Sequence, residues 1–162
     1  MGQLVGLRAV REGGLFPAPH AGPCRGRVIM PAYLLDTGWV IRHLRGDRLY
    51  TETLLKIGSA AVALSILSLA ELYEGVFRAH DPERAEQSLR AFVSDKVVLP
   101  ITEPVARIFG EQRAKLRRQN LLIGDIDLLI AATCLHHNLT LLTTNPRHFE
   151  RVEGLLIVSE PW

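Results

Sequence analysis

Acidic residues and one asparagine lie near the ends of predicted elements, where side chains of an α/β protein can act on a ligand. Asp36 follows a short apolar run, and Asn145 follows another. Glu71 and Asp127 each lie in the first turn of a predicted helix. Oxygen ligands without His or Cys partners suit Mg²⁺ or Mn²⁺ rather than zinc. The pattern therefore predicts a site for a hard divalent cation, provided that the fold brings these residues together.

Each acid also has a purely structural explanation. Asp36 could cap the helix that follows it, and Glu71 could be the reciprocal member of a capping box with Ser68. Asp125 and Asp127 could be favourable charges at a helix N-terminus. Taken together these explanations weaken, because carboxylates at one rim raise each other's pKa unless a cation neutralises them.

Short apolar runs alternate with helical patterns along most of the chain. The predicted strands cover residues 33–35, 61–64, 97–99, 140–143 and 155–158. Short, fully apolar strands separated by helices indicate a parallel sheet covered on both faces. In such sheets the ligand site lies beyond the carboxyl ends of the strands. All four polar positions are expected at that rim.

Composition sets broad limits on the function. A chain of 162 residues with 48% hydrophobic content suits one domain with a single core. The net charge of +2 gives no overall argument for nucleic acid, so any RNA contact must come from local patches. Cys24 and Cys134 form neither a disulfide framework nor a zinc motif, so a reducing cytoplasm is expected.

Residues 1–29 differ from the rest of the chain in being rich in Gly, Pro and Arg. We expect a disordered N-terminal extension there and the folded domain at residues 30–162. Met30, directly before the first strand, raises the hypothesis that translation starts at that residue. The longest uncharged run, from Ile57 to Ala70, is too short to span a bilayer, so no membrane association is predicted.

Four segments, in their order and spacing, resemble a PIN domain of the VapC type, the toxin half of VapBC toxin-antitoxin pairs. The resemblance extends from Tyr33 to about Val158. Its segments are Tyr33-Leu34-Leu35-Asp36-Thr37, Leu64-Ser65 with Ala70-Glu71-Leu72-Tyr73-Glu74-Gly75, Asp127-Leu128-Leu129-Ile130-Ala131-Ala132, and Thr143-Thr144-Asn145-Pro146-Arg147-His148-Phe149. No single segment is diagnostic.

The resemblance implies a three-layer α/β/α fold with a central, mostly parallel sheet of four to five short strands. It also implies a Mg²⁺- or Mn²⁺-dependent endoribonuclease, a homodimer silenced by a VapB-like antitoxin that covers the acidic pocket. The acidic quartet maps onto Asp36, Glu71, Asp127 and the Asn145 position. Many relatives carry aspartate at the last position, so this chain is expected to hold a second metal less tightly. Asp125 is the candidate to compensate.

We assign roles on this basis as hypotheses. Asp36 and Asp127 would bind the metal directly, and Glu71 would orient or deprotonate the attacking water. The supporting polar residues, which would hold metal-bound waters or phosphate oxygens or complete the motif, are Thr37, Ser65, Thr143 and Asn145.

Two groups of basic residues are candidates for RNA contact. One follows Asp36 and contains Arg42, Arg45 and Arg48, and the other ends a predicted helix and contains Arg113, Lys115, Arg117 and Arg118. The first group is expected nearer the rim. A solvated helix end is the simpler explanation for the second.

A different function remains open, namely a catalytically silent PIN-fold module that binds RNA or a protein partner. Its carboxylates would serve only as helix caps, and the neutral Asn145 favours it. A phosphatase using Asp36 as nucleophile is weaker, because no second aspartate lies two residues later.

Overall fold

The computed structural model describes residues 30–162, and the predicted extension at residues 1–29 lies outside the described residues. The strands are β1 (Tyr33–Leu35), β2 (Val62–Ser65), β3 (Val97–Leu99), β4 (Thr140–Leu142) and β5 (Leu156–Val158). The helices are α1 (Thr37–Leu44), α2 (Arg48–Ile57), α3 (Ile66–Phe77), α4 (Pro82–Val93), α5 (Glu103–Arg118), α6 (Asp125–His137) and α7 (Pro146–Phe149). A single 3₁₀ turn, Ser59–Ala61, leads into β2.

The strands form one five-stranded parallel sheet in the order β3-β2-β1-β4-β5. Leu35 is in register with Leu64 on one side and with Leu142 on the other. The predicted α/β class and parallel sheet are therefore confirmed. Since β1 is central, the residue that follows it, Asp36, emerges in the middle of the rim between the ends of β2 and β4.

Alternate strand residues pack into two separate cores, one on each face of the sheet, because successive side chains of a strand point to opposite faces. Leu34 and Leu141 pack with residues of α5, α6 and α7. Leu35 and Leu142 pack with residues of α1, α2, α3 and α4. The molecule thus has the three predicted layers, with helices on both faces.

Two residues expected in the core are fully buried. Trp39 packs edge-on against the Tyr50 ring, with 5.0 Å between the ring centroids. Cys134 lies within the core on the α6 face, where burial raises the pKa of its thiol. No helix within residues 30–162 is long and apolar enough to cross a membrane.

The start of α3 differs from the prediction. Ser65, at the end of β2, caps the helix by accepting a hydrogen bond from the Ser68 N–H at 2.9 Å. Ser68 is therefore inside the helix, and the predicted capping box with Glu71 is wrong. Glu71 lies in the second turn instead of the first, so its carboxylate needs another explanation.

Phe77, which directly follows the inward residue Val76 on α3, has 74% of its surface exposed. Its ring stacks on Tyr73, with 6.5 Å between the centroids. The inward positions of α3 are Leu72 and Val76, and Phe77 follows Val76 by about 100° of helix rotation. That rotation carries it away from the core.

Candidate functional site

Asp36 lies at the centre of a hydrogen-bonded cluster at the carboxyl ends of β1 and β4. Its Oδ1 accepts a hydrogen bond from the Thr37 N–H at 2.8 Å, which makes it the N-cap of α1. Its Oδ2 accepts one from the Thr143 hydroxyl at 2.6 Å. Asp36 therefore is a helix cap, as the structural explanation held, and it is also tied to the strand beside it.

Glu71 reaches the same cluster from α3. Its Oε2 accepts a hydrogen bond from the Thr37 hydroxyl at 2.5 Å. Thr37 thus donates to two carboxylates at once, to Asp36 through its backbone and to Glu71 through its side chain. This contact joins the start of α1 to α3, which lie at the same edge of the sheet because the strands that precede them, β1 and β2, are neighbouring and parallel.

Asp127 approaches from the first turn of α6, where no side chain caps the helix. Its Oδ2 lies 2.9 Å from Nδ1 of His148, which belongs to the short helix α7. The sequence prediction gave His148 no role. The available signal was its position in the polar segment after β4, within the fourth segment of the family resemblance.

The pKa of Asp36 reflects both its burial and its charged neighbours. Burial raises the pKa of Asp36 above its ordinary value of 3.8, and the charges of Asp127 and Glu71 raise it further. The hydrogen bonds from Thr143 and Thr37 lower it and offset part of the rise. A partly buried carboxylate that is repelled by two others is one that a cation would stabilise.

Asp125 lies apart from this cluster. Its side chain is 58% exposed and forms a two-point ion pair with Arg113, at 2.8 Å and 3.2 Å. The Arg113 guanidinium lowers the pKa of Asp125, the opposite of the shift at Asp36. Asp125 is therefore engaged with α5, and the structure does not support it as the compensating metal ligand.

The supporting residues are engaged within the protein rather than open to a ligand. Thr143 is buried, and its hydroxyl both donates to Asp36 and accepts from the Asn145 N–H at 3.0 Å. Ser65 is buried as the cap of α3. Thr37 holds Glu71. The Asn145 side chain itself is exposed. Thr37 and Thr143 are thus the two that contact the carboxylates directly.

The first basic group lies farther from the site than expected. Arg42 and Arg45 follow Asp36 by six and nine residues, so they stand about 9 Å and about 14 Å along the axis from the cap. Arg42 also faces Asp47, at 3.8 Å.

The second group lies beside the start of α6, because α5 packs along that helix. Arg113 contacts Asp125, and Arg117 is near enough to lower the pKa of Asp125 as well. By position, this group is the better candidate for contact with a phosphate near Asp127.

The donor set fits Mg²⁺ or Mn²⁺, since the cluster offers carboxylate and hydroxyl oxygens. Within residues 30–162, however, no three acidic, histidine or cysteine side chains are already arranged to hold a metal. Mg²⁺ usually binds through one or two carboxylates and keeps several waters. The cluster therefore fits a partly hydrated ion held by a subset of its acids.

Three comparisons with known proteins agree with this arrangement. Residues 33–155 match the family model described as PIN domain. The chain is 31% identical to Ribonuclease VapC2 of Rickettsia felis, over 80% of this chain and 97% of that protein. It is also 31% identical to the tRNA(fMet)-specific endonuclease VapC of Shigella flexneri, over 82% of this chain and 99% of that protein.

A solved structure has the same fold. The crystal structure of DNA-bound VapBC from Salmonella typhimurium matches with a TM-score of 0.75 and 28% identity, covering 80% of this chain and 98% of that chain. The family model spans most of the described residues and all of the acidic cluster. The chain therefore belongs to the PIN-domain family, and its relatives in that family are VapC ribonucleases.

Proposed function

We propose that this chain is a Mg²⁺- or Mn²⁺-dependent endoribonuclease, the toxin of a type II toxin-antitoxin pair. The observation that carries the proposal is the cluster at the rim of the sheet, where Asp36 accepts hydrogen bonds from Thr37 and Thr143 and the Thr37 hydroxyl also holds Glu71. Partial burial of Asp36, and then the charges of Asp127 and Glu71, raise the pKa of its carboxyl group. The support from relatives is that proteins about one-third identical over nearly their full length are named ribonucleases.

Asp36 and Asp127 are the residues that would hold the metal. When bound, the cation would polarise the scissile phosphate and favour ionisation of the attacking water. Both oxygens of Asp36 already accept a hydrogen bond, and each retains a second lone pair for a ligand. One oxygen of Asp127 is held by His148, which leaves the other for the same purpose.

Glu71 is the residue that would take the proton from water. The Thr37 hydroxyl donates to its Oε2, which restrains the carboxylate, and Oε1 is the oxygen that would act as the base. A base that is already oriented lowers the entropic cost of reaching the reactive geometry. Arg113 and Arg117 would contact the RNA backbone next to Asp127 and hold the phosphate at the acidic cluster.

Cleavage by purified protein tests the proposal. Wild type should cut RNA with Mg²⁺ or Mn²⁺, and a chelator should stop it. Asp36→Asn should abolish cleavage with an unchanged circular dichroism spectrum. The matched control is Asp125→Asn, which removes an acid from the same helix turn as Asp127 and should keep near wild-type activity. Cleavage by Asp36→Asn at the wild-type rate would refute the assignment.

The substrate is best sought first among transfer RNAs, since the Shigella relative is named for tRNA(fMet). We propose the initiator tRNA as the first substrate, with total RNA from the same cells beside it. Sequencing of RNA ends after brief induction would locate the cut. Ends spread evenly over unrelated RNAs would argue against a tRNA substrate.

A catalytically silent binding module remains the second candidate. Two observations favour it: Asn145 is neutral, and no ready-made group of three metal ligands exists in the part of the chain that the structure describes. Thermal unfolding separates the two functions. Mn²⁺ should raise the melting temperature of wild type but not of Asp127→Ala if the cluster binds metal. A silent module should show no such difference.

We propose two protein partners, a second copy of this chain and a VapB-like antitoxin. Ile66, Tyr73 and Phe77 lie on one face of α3, at spacings of about two and three helix turns, and each is at least partly exposed. This apolar face suits burial in a homodimer. The antitoxin would cover the acidic cluster, where an arginine could neutralise the carboxylates in place of a metal.

The mass of the particle in solution tests the homodimer. Phe77→Glu should convert a dimer to a monomer in light scattering after size exclusion, because a charge would be buried at the interface. Leu55→Glu is the control, since Leu55 is equally exposed but lies on α2. A dimer that tolerates Phe77→Glu would exclude this face of α3.

A further inference from the structure

The segment after β4, residues 143–149, forms hydrogen bonds with two of the three clustered acids. Thr143, its first residue, donates to Oδ2 of Asp36, and His148, near its end, contacts Oδ2 of Asp127. The two acids belong to different parts of the fold, since Asp36 caps α1 and Asp127 lies in α6, and the segment contacts both. The contact with His148 joins residues 21 positions apart in sequence.

The backbone of this segment is fixed by the core beneath it. Phe149, the neighbour of His148, is 1% exposed and packs with residues of the sheet and of α6. The N–H of Glu150 bonds to the carbonyl of Pro146 at 2.9 Å, which closes α7 as a single turn. The His148 side chain is about half exposed, so packing of its own ring does not hold it in position. Its backbone is held by the buried neighbour Phe149 instead.

The donor can be assigned without knowing the charge of the ring. An imidazole with its proton on Nδ1 and an imidazolium both donate from that nitrogen to a carboxylate oxygen. In either form, Oδ2 of Asp127 accepts the hydrogen bond from His148 and Oδ1 does not take part in it. The hydrogen bond thereby selects one orientation of a side chain that is only 28% exposed.

We propose that His148 is a positioning residue that fixes the Asp127 carboxylate for the metal, a role that rests on the metal-dependent function proposed above. Groups that hydrogen-bond a metal-binding carboxylate orient it, and their loss costs about 10-fold to 100-fold in metal affinity. A merely structural surface pair would leave metal affinity unchanged. The inference therefore predicts a loss of affinity that stability alone does not explain.

Mn²⁺ affinity, measured by calorimetric titration of the full chain, tests this role without any activity assay. His148→Ala should bind Mn²⁺ about 10-fold more weakly than wild type. His148→Asn, whose amide nitrogen can replace Nδ1 as donor, should recover most of that loss. His80→Ala, which removes an exposed histidine elsewhere, is the control. Equal affinities for His148→Ala and His80→Ala would overturn the inference.

Failure of the underlying function would look different. If wild type bound no Mn²⁺, or if Asp127→Ala bound it normally, the metal site proposed at Asp127 would be wrong. A crystal structure of metal-free His148→Ala would still decide the positioning role. An Asp127 carboxylate turned away from its wild-type orientation supports the role, and an unchanged carboxylate overturns it.

Discussion

Replacing Thr143 with valine removes the hydroxyl that links Asp36 to the segment after β4 and keeps the shape of the side chain nearly constant. Thr143 is fully buried. Its hydroxyl donates to Oδ2 of Asp36 at 2.6 Å and accepts from the Asn145 N–H at 3.0 Å. The variant leaves a carboxylate oxygen without its donor and the N–H without its acceptor.

The expected loss can be worked from these two bonds. A hydrogen bond to a charged group contributes about 1.5–3 kcal/mol to stability, and the Asp36 bond is of this kind. The Asn145 N–H lies at an exposed residue and can turn to water, so its loss adds little. We expect the free energy of unfolding to fall by about 2 kcal/mol, which lowers the melting temperature by about 4–8 °C in a domain of this size.

Urea denaturation followed by circular dichroism measures this loss. The matched control is Thr140→Val, the same change three residues earlier, at the first residue of β4. That hydroxyl makes no hydrogen bond within residues 30–162, so the variant should change stability by less than about 0.5 kcal/mol. RNA cleavage by Thr143→Val should also fall, since Asp36 loses its fixed orientation. Equal unfolding curves for the two variants would refute the reasoning.

Three further predictions concern packing, pH and RNA. Gly38→Ala should destabilise the protein by about 1–3 kcal/mol in urea denaturation, because the new Cβ would collide with the side chain of Thr144. Gly75→Ala is the control, because its Cβ would meet open space on an exposed helix position, and it should stabilise the protein by up to about 1 kcal/mol. Burial, and then the charge of Lys96, lowers the pKa of His43 below its ordinary value of 6.5. As the pH drops from about 7 through 6.5, the unfolded chain therefore gains a proton at this residue before the folded chain does. Stability should fall over this range, down to the pKa of His43 in the folded state. His43→Gln should flatten this fall in unfolding curves measured across that range, and an unchanged slope would contradict the assignment. Arg117→Gln should weaken RNA binding and reduce the salt slope by about 0.7, with Arg90→Gln on α4 as the control that leaves both unchanged in a filter-binding series.

The elements were predictable because short apolar runs alternate with helical patterns, which is typical of a parallel sheet covered by helices. The central strands β1 and β2 are largely buried, whereas in the edge strand Val97–Leu99 only Leu99 is buried. Asp81 before Pro82 predicted the start of α4, and the structure confirms it. The sequence could not decide whether Ser65 or Ser68 is the N-cap of α3, since each is followed by a pattern that suits a helix start.

The site was predictable in outline but not in its contacts. Asp125 and Asp127 look equivalent in sequence, yet two residues are about 200° apart around a helix, so only one can face the sheet rim. Which one does so depends on how α6 packs against α5, where Arg113 engages Asp125. His148 was missed for a similar reason, because its partner is distant in sequence and α7 was not predicted.

The central position of β1 has a consequence for the order of events during synthesis. Thr143 follows Asp36 by 107 residues, and both must be present before the cluster closes. A nascent chain still being translated has made Asp36 and Glu71 long before Thr143 and His148 leave the ribosome. Pairing across so long a separation is also slow to form. The proposed active site is therefore complete only after His148 has been made, late in the synthesis of the chain.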